Sequence, residues 1–277
     1  ETAMNLLHEW PLVLFTLTVQ LAVGLLFAFL AAKSLVWAGH RQERPSGEGP
    51  FLLVGVLMAA ALAISILHLG APMSGVFSLS NLDQSWLSRE ILAVLVFLGL
   101  WGLSSGLRRR PGTPPWIADA LAWATALTGI VLIWVMARIY MIPARPLWDH
   151  WLTAAGFFLT TLLLGAVAGA VFLARPALLA VGFAASLAQI GATLTHPMTG
   201  EIMRSPGGPP LFGLRILLLL GGASLLVIPL ARSSALGKAP SRSGTEVRWA
   251  AGALLLVGAS EVLGRMLFYA VGPVIPF

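Results

Sequence analysis

Eight runs of mostly apolar residues, each about twenty long, constrain this chain more than anything else in it. They are Pro11–Ala32, Phe51–Leu69, Glu90–Leu107, Trp116–Ala137, Trp151–Ala174, Ala177–Thr195, Leu211–Ala231 and Trp249–Tyr269. A run of about 20 apolar residues at about 1.5 Å rise each matches the hydrocarbon thickness of a bilayer. Lipid offers a backbone no hydrogen-bond partner, so each run has to close its own N–H···O=C bonds as a helix. The chain is therefore expected to be all-α: one domain, residues 1–277, folded as a transmembrane bundle of eight helices. Composition agrees, because only 10% of residues are charged and 58% are hydrophobic, against about 25% charged in soluble domains. There is no cysteine, which excludes disulfides, thiolate-held zinc and iron–sulfur clusters on this chain. No basic stretch precedes the first run, so no cleavable signal peptide is expected.

The net charge of +6 is an orientation signal, not a nucleic-acid one. The first, third, fifth and seventh connections carry Lys33, Arg41, Arg44, Arg108, Arg109, Arg110, Arg175, Arg232, Lys238, Arg242 and Arg248. The second, fourth and sixth carry only Arg89, Arg138, Arg145 and Arg204. Basic loops stay on the cytoplasmic side, so eight spans place both termini on the outer side. His8, Glu9, His68, Asp83, Glu90, Arg138, Tyr140, Asp149, His150, His196 and Glu201 then gather at the outer face, with Trp10, Trp86, Trp148 and Trp151 at interfacial depth. The longest connections, Gly70–Arg89 and His196–Pro210, are also outer and read as ordered turns rather than helices.

Several residues at that face could carry chemistry. His68 ends one apolar helix, and Gly70 and Pro72 after it turn the chain back toward the membrane surface. A neutral imidazole there can bond a quinone oxygen or take a quinol proton; a helix-end histidine bonded to a loop carbonyl is the plain alternative. Glu90 opens the next run, where a carboxylate either serves the helix N-terminus or accepts and relays a proton. Arg138 and Tyr140 can donate to a quinone oxygen or simply anchor the interface. Glu261 and Arg265, four residues apart in the last run, are expected to pair with each other, with a proton path or pocket wall as the alternative. Gly165-x-x-x-Gly169 predicts close helix packing. No two histidines lie within apolar runs, so a bis-histidine haem is disfavoured, and no metal is expected on this chain.

The segments His8-Glu-Trp-Pro-Leu-Val-Leu-Phe-Thr16, Leu67-His-Leu-Gly-Ala-Pro-Met73, Ser85-Trp-Leu-Ser-Arg-Glu-Ile91, Arg138-Ile-Tyr140 and Glu261-Val-Leu-Gly-Arg-Met-Leu-Phe-Tyr269 resemble the membrane anchor subunit of bacterial dimethyl sulfoxide reductases. The resemblance runs the length of the sequence. It implies a complex for anaerobic respiration in the bacterial inner (cytoplasmic) membrane. In it the anchor binds menaquinol or another quinol, and a four-cluster iron–sulfur subunit passes the electrons to a molybdopterin catalytic subunit. The family's quinol-site histidine falls on His68 and its carboxylate on Glu90. Ser74 departs from the pattern, standing where members can carry arginine, which leaves the quinone type open.

The sequence thus reads as a quinol-oxidising anchor, with His68, Glu90, Arg138, Tyr140, Gly70 and Pro72 forming the site. Two other anchors remain: one in a sulfite- or sulfur-compound-oxidising complex that reduces quinone, and a purely structural one. A transporter ranks behind them, because transporters set polar groups and broken helices at mid-membrane.

Overall fold

The computed structural model describes residues 10–37, 48–68, 81–173, 175–235 and 244–270, and within these the side chains of all but 35–37, 66–68, 176 and 232–235. Regular structure among them is helical: α1 Trp10–Trp37, α2 Gly49–His68, α3 Trp86–Arg108, α4 Pro115–Tyr140, α5 Trp151–Leu173, α6 Pro176–Thr195, α7 Met198–Arg204, α8 Gly208–Ala235 and α9 Gly244–Ala270. Seven of these are long and apolar enough to cross a membrane among the described residues; of α2, the apolar part whose side chains are described is Gly49–Ser65. Each of the eight expected runs is helical over its described residues. Two expectations fail at the connections. The segment after His196 is not all turn, because α7 forms within it. And α3 begins four residues before Glu90: Ser85 is its N-cap, accepting the Ser88 N–H at 3.2 Å. Glu90 therefore sits in the second turn rather than at the helix start, and a capping role does not apply to it.

Local chemistry sets the other ends. Pro115 and Pro176 occupy the first turns of α4 and α6, where a missing N–H costs nothing. Gly112, at φ 83°, makes the tight turn between α3 and α4, a conformation that side chains disfavour.

The helices pack around two large apolar cores that share α1 and α5, with a smaller third cluster of Trp148, Met198, Ile202, Phe212 and Leu267. One joins Phe15, Val19, Leu26 and Phe29 of α1 to Phe51 and Met58 of α2, Phe97 of α3, Ile133 and Met136 of α4 and Phe157 of α5. The other joins Val13 and Leu17 of α1 to Leu163 and Val167 of α5, Leu179 of α6, Leu219 and Leu226 of α8 and Val257 of α9. The exterior is apolar as well: Leu255, Leu217, Trp151 and Trp116 are more than half exposed, while Gln20 and Glu261 are buried. Polar inside and apolar outside is the pattern of a protein solvated by lipid.

Where the cores meet, α1 and α5 touch backbone to backbone. A Cβ on Gly165 would fall 2.3–2.5 Å from Gly24 atoms, and one on Gly24 would fall 2.1 Å from the Thr161 carbonyl. One turn on, Gly169 faces Ala28. The small-residue motif therefore packs as its spacing predicts. At one end of the bundle, Lys33 of α1 and Arg108 of α3 both pair with Asp119 of α4, and Arg108 also lies over the Phe51 ring of α2. This is the end that carries the basic connections.

Replacing Gly165 with leucine forces α1 and α5 apart. We expect a loss of about 2 kcal/mol or more, read as a drop in thermal midpoint in lipid nanodiscs. The same change at Gly102, an exposed position of α3 where a Cβ meets nothing within 4 Å, should leave the midpoint nearly unchanged.

Candidate functional site

Glu90 is buried, at 7% exposure, on the face of α3 that carries Ala93, Val94 and Phe97. It makes no hydrogen bond or ion pair with a described residue. Two phenols lie within its electrostatic reach. The Tyr140 hydroxyl at the end of α4 lies 2.8 Å from the Tyr269 hydroxyl at the end of α9. Glu90 and Arg265 are within electrostatic reach of both, and Thr16 of α1 stands beside Tyr269. Aromatic rings hold Tyr140 in place: Trp148, Phe157, Phe268 and Tyr269 surround it at centroid distances of 5.4–5.8 Å. Trp148 stacks on Phe268 and donates its indole N–H to the Phe268 carbonyl at 3.2 Å. Arg138 reaches over the Trp86 ring, 5.3 Å from its centroid, a cation–π contact that sets it at the mouth of α3 and α4.

The fold thus brings Glu90, Arg138 and Tyr140 to one end of the bundle. His68 closes α2, but its side chain, together with Gly70 and Pro72, lies outside the described residues. Tyr269 is the partner that residue-by-residue reading missed. It lies in the last quoted segment, yet nothing in the sequence says that it meets Tyr140.

A second polar assembly lies deeper, between α5, α6, α8 and α9. The expected Glu261–Arg265 pair does not form. Glu261 accepts from the Thr160 hydroxyl at 2.6 Å and from the Gln189 amide at 3.2 Å to each oxygen. Arg265 turns the other way, donating to the Gln20 amide oxygen at 3.2 Å and lying 3.6 Å over the Phe157 ring. Tertiary neighbours outcompete helical spacing here, because each buried charge finds partners on a different helix. Thr160, Gln189, Glu261 and Arg265, with Arg215, wall a cavity of about 80 Å³ that continues past Thr153 and Thr193 to His196 and Met198. Thr160, Gln189 and Arg215 were legible only as polar residues inside apolar runs, which is itself a sign of interior placement.

His196 sits beyond the end of α6, with its ring 5.9 Å from that of His150. The Met198 N–H donates to His196 Nδ1 at 3.2 Å, so Nε2 carries the proton and donates to the Thr153 hydroxyl at 3.3 Å. Burial, then the neighbouring His150 and Arg215, lower its pKa from 6.5 to about 4. Among the described residues, no cluster of three or more His, Asp or Glu side chains could hold a metal.

A sequence profile of the DMSO reductase anchor subunit family (DmsC) matches residues 4–204. The protein belongs to that family. Along 95% of its length it is 30% identical to the anaerobic dimethyl sulfoxide reductase subunit YnfH of Escherichia coli K12, covering 94% of that protein. It is 32% identical to the C subunit of the Haemophilus influenzae anaerobic dimethyl sulfoxide reductase, over 57% of its own length and 56% of that subunit. The C subunit of the Escherichia coli enzyme is 30% identical to it, over 60% of the present sequence and 58% of that subunit. No solved structure matches. The protein is thus a membrane anchor by family, with seven described helices long and apolar enough to cross a membrane.

His196 supplies a pH prediction. The folded state holds it neutral down to about pH 4, whereas an unfolded polypeptide takes up the proton near the ordinary value of about 6.5. Below that value the unfolded state binds more protons, so its stabilising contribution is full above about pH 6.5 and is lost as pH falls toward 4. The thermal midpoint should decline across that window, and His196→Gln should flatten this part of the decline. An unchanged slope in the variant would show that His196 is not held neutral.

Proposed function

We propose that this anchor binds a quinol at the end of the bundle where Glu90, Arg138 and Tyr140 gather, with His68 completing the site. The observation that carries the reading is a buried carboxyl with no described cation paired to it, set beside a hydrogen-bonded pair of phenols. A structural glutamate buried in a span is ordinarily paired; Glu90 has no described partner. An unpaired carboxyl that exchanges a proton with a ligand, beside hydroxyls that can pass protons on, is suited to general acid–base work. In this reading His68 bonds one quinol oxygen and Glu90 takes or relays a proton. Tyr140 orients the ring from the side with its hydroxyl shared with Tyr269, and the Arg138 guanidinium at the mouth can donate to the other oxygen. Gly70 and Pro72 shape the loop above.

The quinol, menaquinol or a relative, supplies two-electron chemistry, and its electrons pass directly to a docked iron–sulfur subunit. That subunit, with four clusters, serves a molybdopterin catalytic subunit in this reading; membership of the DMSO reductase anchor subunit family supports an anchor within such a complex. With α2 counted as an eighth span, the basic connections at the Lys33 and Arg108 end face the cytoplasm. Both termini and the Glu90 end then face the periplasm, across a bacterial inner membrane. Protons leave on the side where the quinol is oxidised, so the anchor itself moves no charge across the bilayer.

The test is quinol oxidation by the assembled complex. Glu90→Gln preserves shape but cannot accept a proton, and should lower turnover by about 10²-fold or more with subunit assembly intact. Tyr140→Phe should raise KM more than it lowers kcat. Normal turnover by the Glu90→Gln complex would remove this site from the mechanism.

A further inference from the structure

The cavity beneath His196 has too many donors and too few acceptors. Arg265 is 7% exposed and makes one hydrogen bond, to Gln20. The Arg215 guanidinium makes none with a described residue, and its buried Nε has no partner. A guanidinium carries five N–H donors, so most of these are unmatched. The Arg215 head group is also fixed in place: it lies flat against α9, where a Cβ on Gly264 would fall 2.6 Å from its Cζ and Nε. The carboxylate in the wall, Glu261, is already taken by Thr160 and Gln189.

Charge leads the same way. Arg215 and Arg265 against Glu261 leave one positive charge, and His196 at the mouth is neutral near pH 7. A net cation inside an apolar slab is costly unless something compensates it. Size then limits what can do so. The cavity is about 80 Å³, well below the roughly 150 Å³ that admits benzene. A quinone ring is excluded, while a single ion with a water beside it fits. The unpartnered carbonyl oxygen of Gln189 would take a hydrogen bond from that water.

We propose that this cavity is a binding site for a small inorganic anion, of the size and charge of chloride, held between Arg215 and Arg265 and admitted past His196 and Thr199. The site is separate from Glu90 and does not depend on the quinol reading. The anion supplies an acceptor for the unmatched donors of both guanidiniums and neutralises the bundle interior, so its binding stabilises the fold.

The test is thermal unfolding of the full-length protein in phosphatidylcholine nanodiscs, followed by tryptophan fluorescence, with chloride exchanged for gluconate at constant ionic strength. Chloride should raise the midpoint with a saturable dependence, and nitrate, similarly small, should do the same. Arg215→Gln should abolish the rise, whereas Arg109→Gln, an exposed charge at the other end, should keep it. Glu261→Gln removes the competing anion and should lower the half-saturating chloride concentration about tenfold. Equal midpoints in chloride and gluconate would overturn the proposal, as would an undiminished chloride response in Arg215→Gln. If Arg215→Gln does not fold, unchanged half-saturation in Glu261→Gln overturns it instead. A chloride response that disappears when phosphatidylglycerol replaces phosphatidylcholine would assign the site to a net anionic lipid headgroup and overturn the small-ion reading.

Discussion

Everything in this bundle follows from the cost of leaving a polar group unpaired in hydrocarbon. That cost turns each apolar run into a helix, since only a helix satisfies its own backbone. It also decides where the side chains go. Leucine and tryptophan are left facing outward because lipid tolerates them, while Gln20, Thr160, Gln189, Glu261 and Arg265 are drawn inward to find one another. The hydrophobic effect gives helices no reason to associate once they are in lipid, so association rests on close packing and interior polar contacts. The Gly24–Gly165 approach supplies the first and the polar assembly of α1, α5, α6 and α9 the second.

The two polar regions differ in a way that separates their roles. The Glu261 carboxylate is surrounded by donors and committed to them. Glu90 has no described partner and sits beside a phenol pair. A committed carboxylate holds structure; an uncommitted one has capacity to exchange a proton. Arg265 stands between the regions, lining the deep cavity and lying within electrostatic reach of Tyr140 and Tyr269. The field at the phenols therefore depends on what neutralises that guanidinium. Removing a charge from one region is felt in the other without any movement of backbone.

The ends of the bundle are tied by different means. At one end Asp119 gathers Lys33 and Arg108, fastening α1, α3 and α4. At the other, rings do the fastening: Tyr140, Trp148, Phe157, Phe268 and Tyr269 join α4, α5 and α9 around the hydroxyl pair. Aromatic contacts make a site rigid without adding charge of their own, and that suits the end at which an uncharged ring is proposed to bind.

The residues alone determined the helical class, the helix positions to within a few residues, the packing role of Gly165 and the grouping of Glu90, Arg138 and Tyr140 at one end. Each of these is local: length and hydropathy make a helix, and the end of a span fixes depth. What the sequence could not give is which helices touch. Four-residue spacing made a Glu261–Arg265 pair look natural, but the fold offered each residue better partners on other helices. The start of α3 was misplaced because Ser85 caps polar residues into the helix ahead of the apolar run. Tyr269 meeting Tyr140, and Arg215 meeting Gly264, join residues far apart along the backbone. Only the packing of α9 against its neighbours brings them together, because contacts between helices depend on their rotation and approach, which no single run encodes.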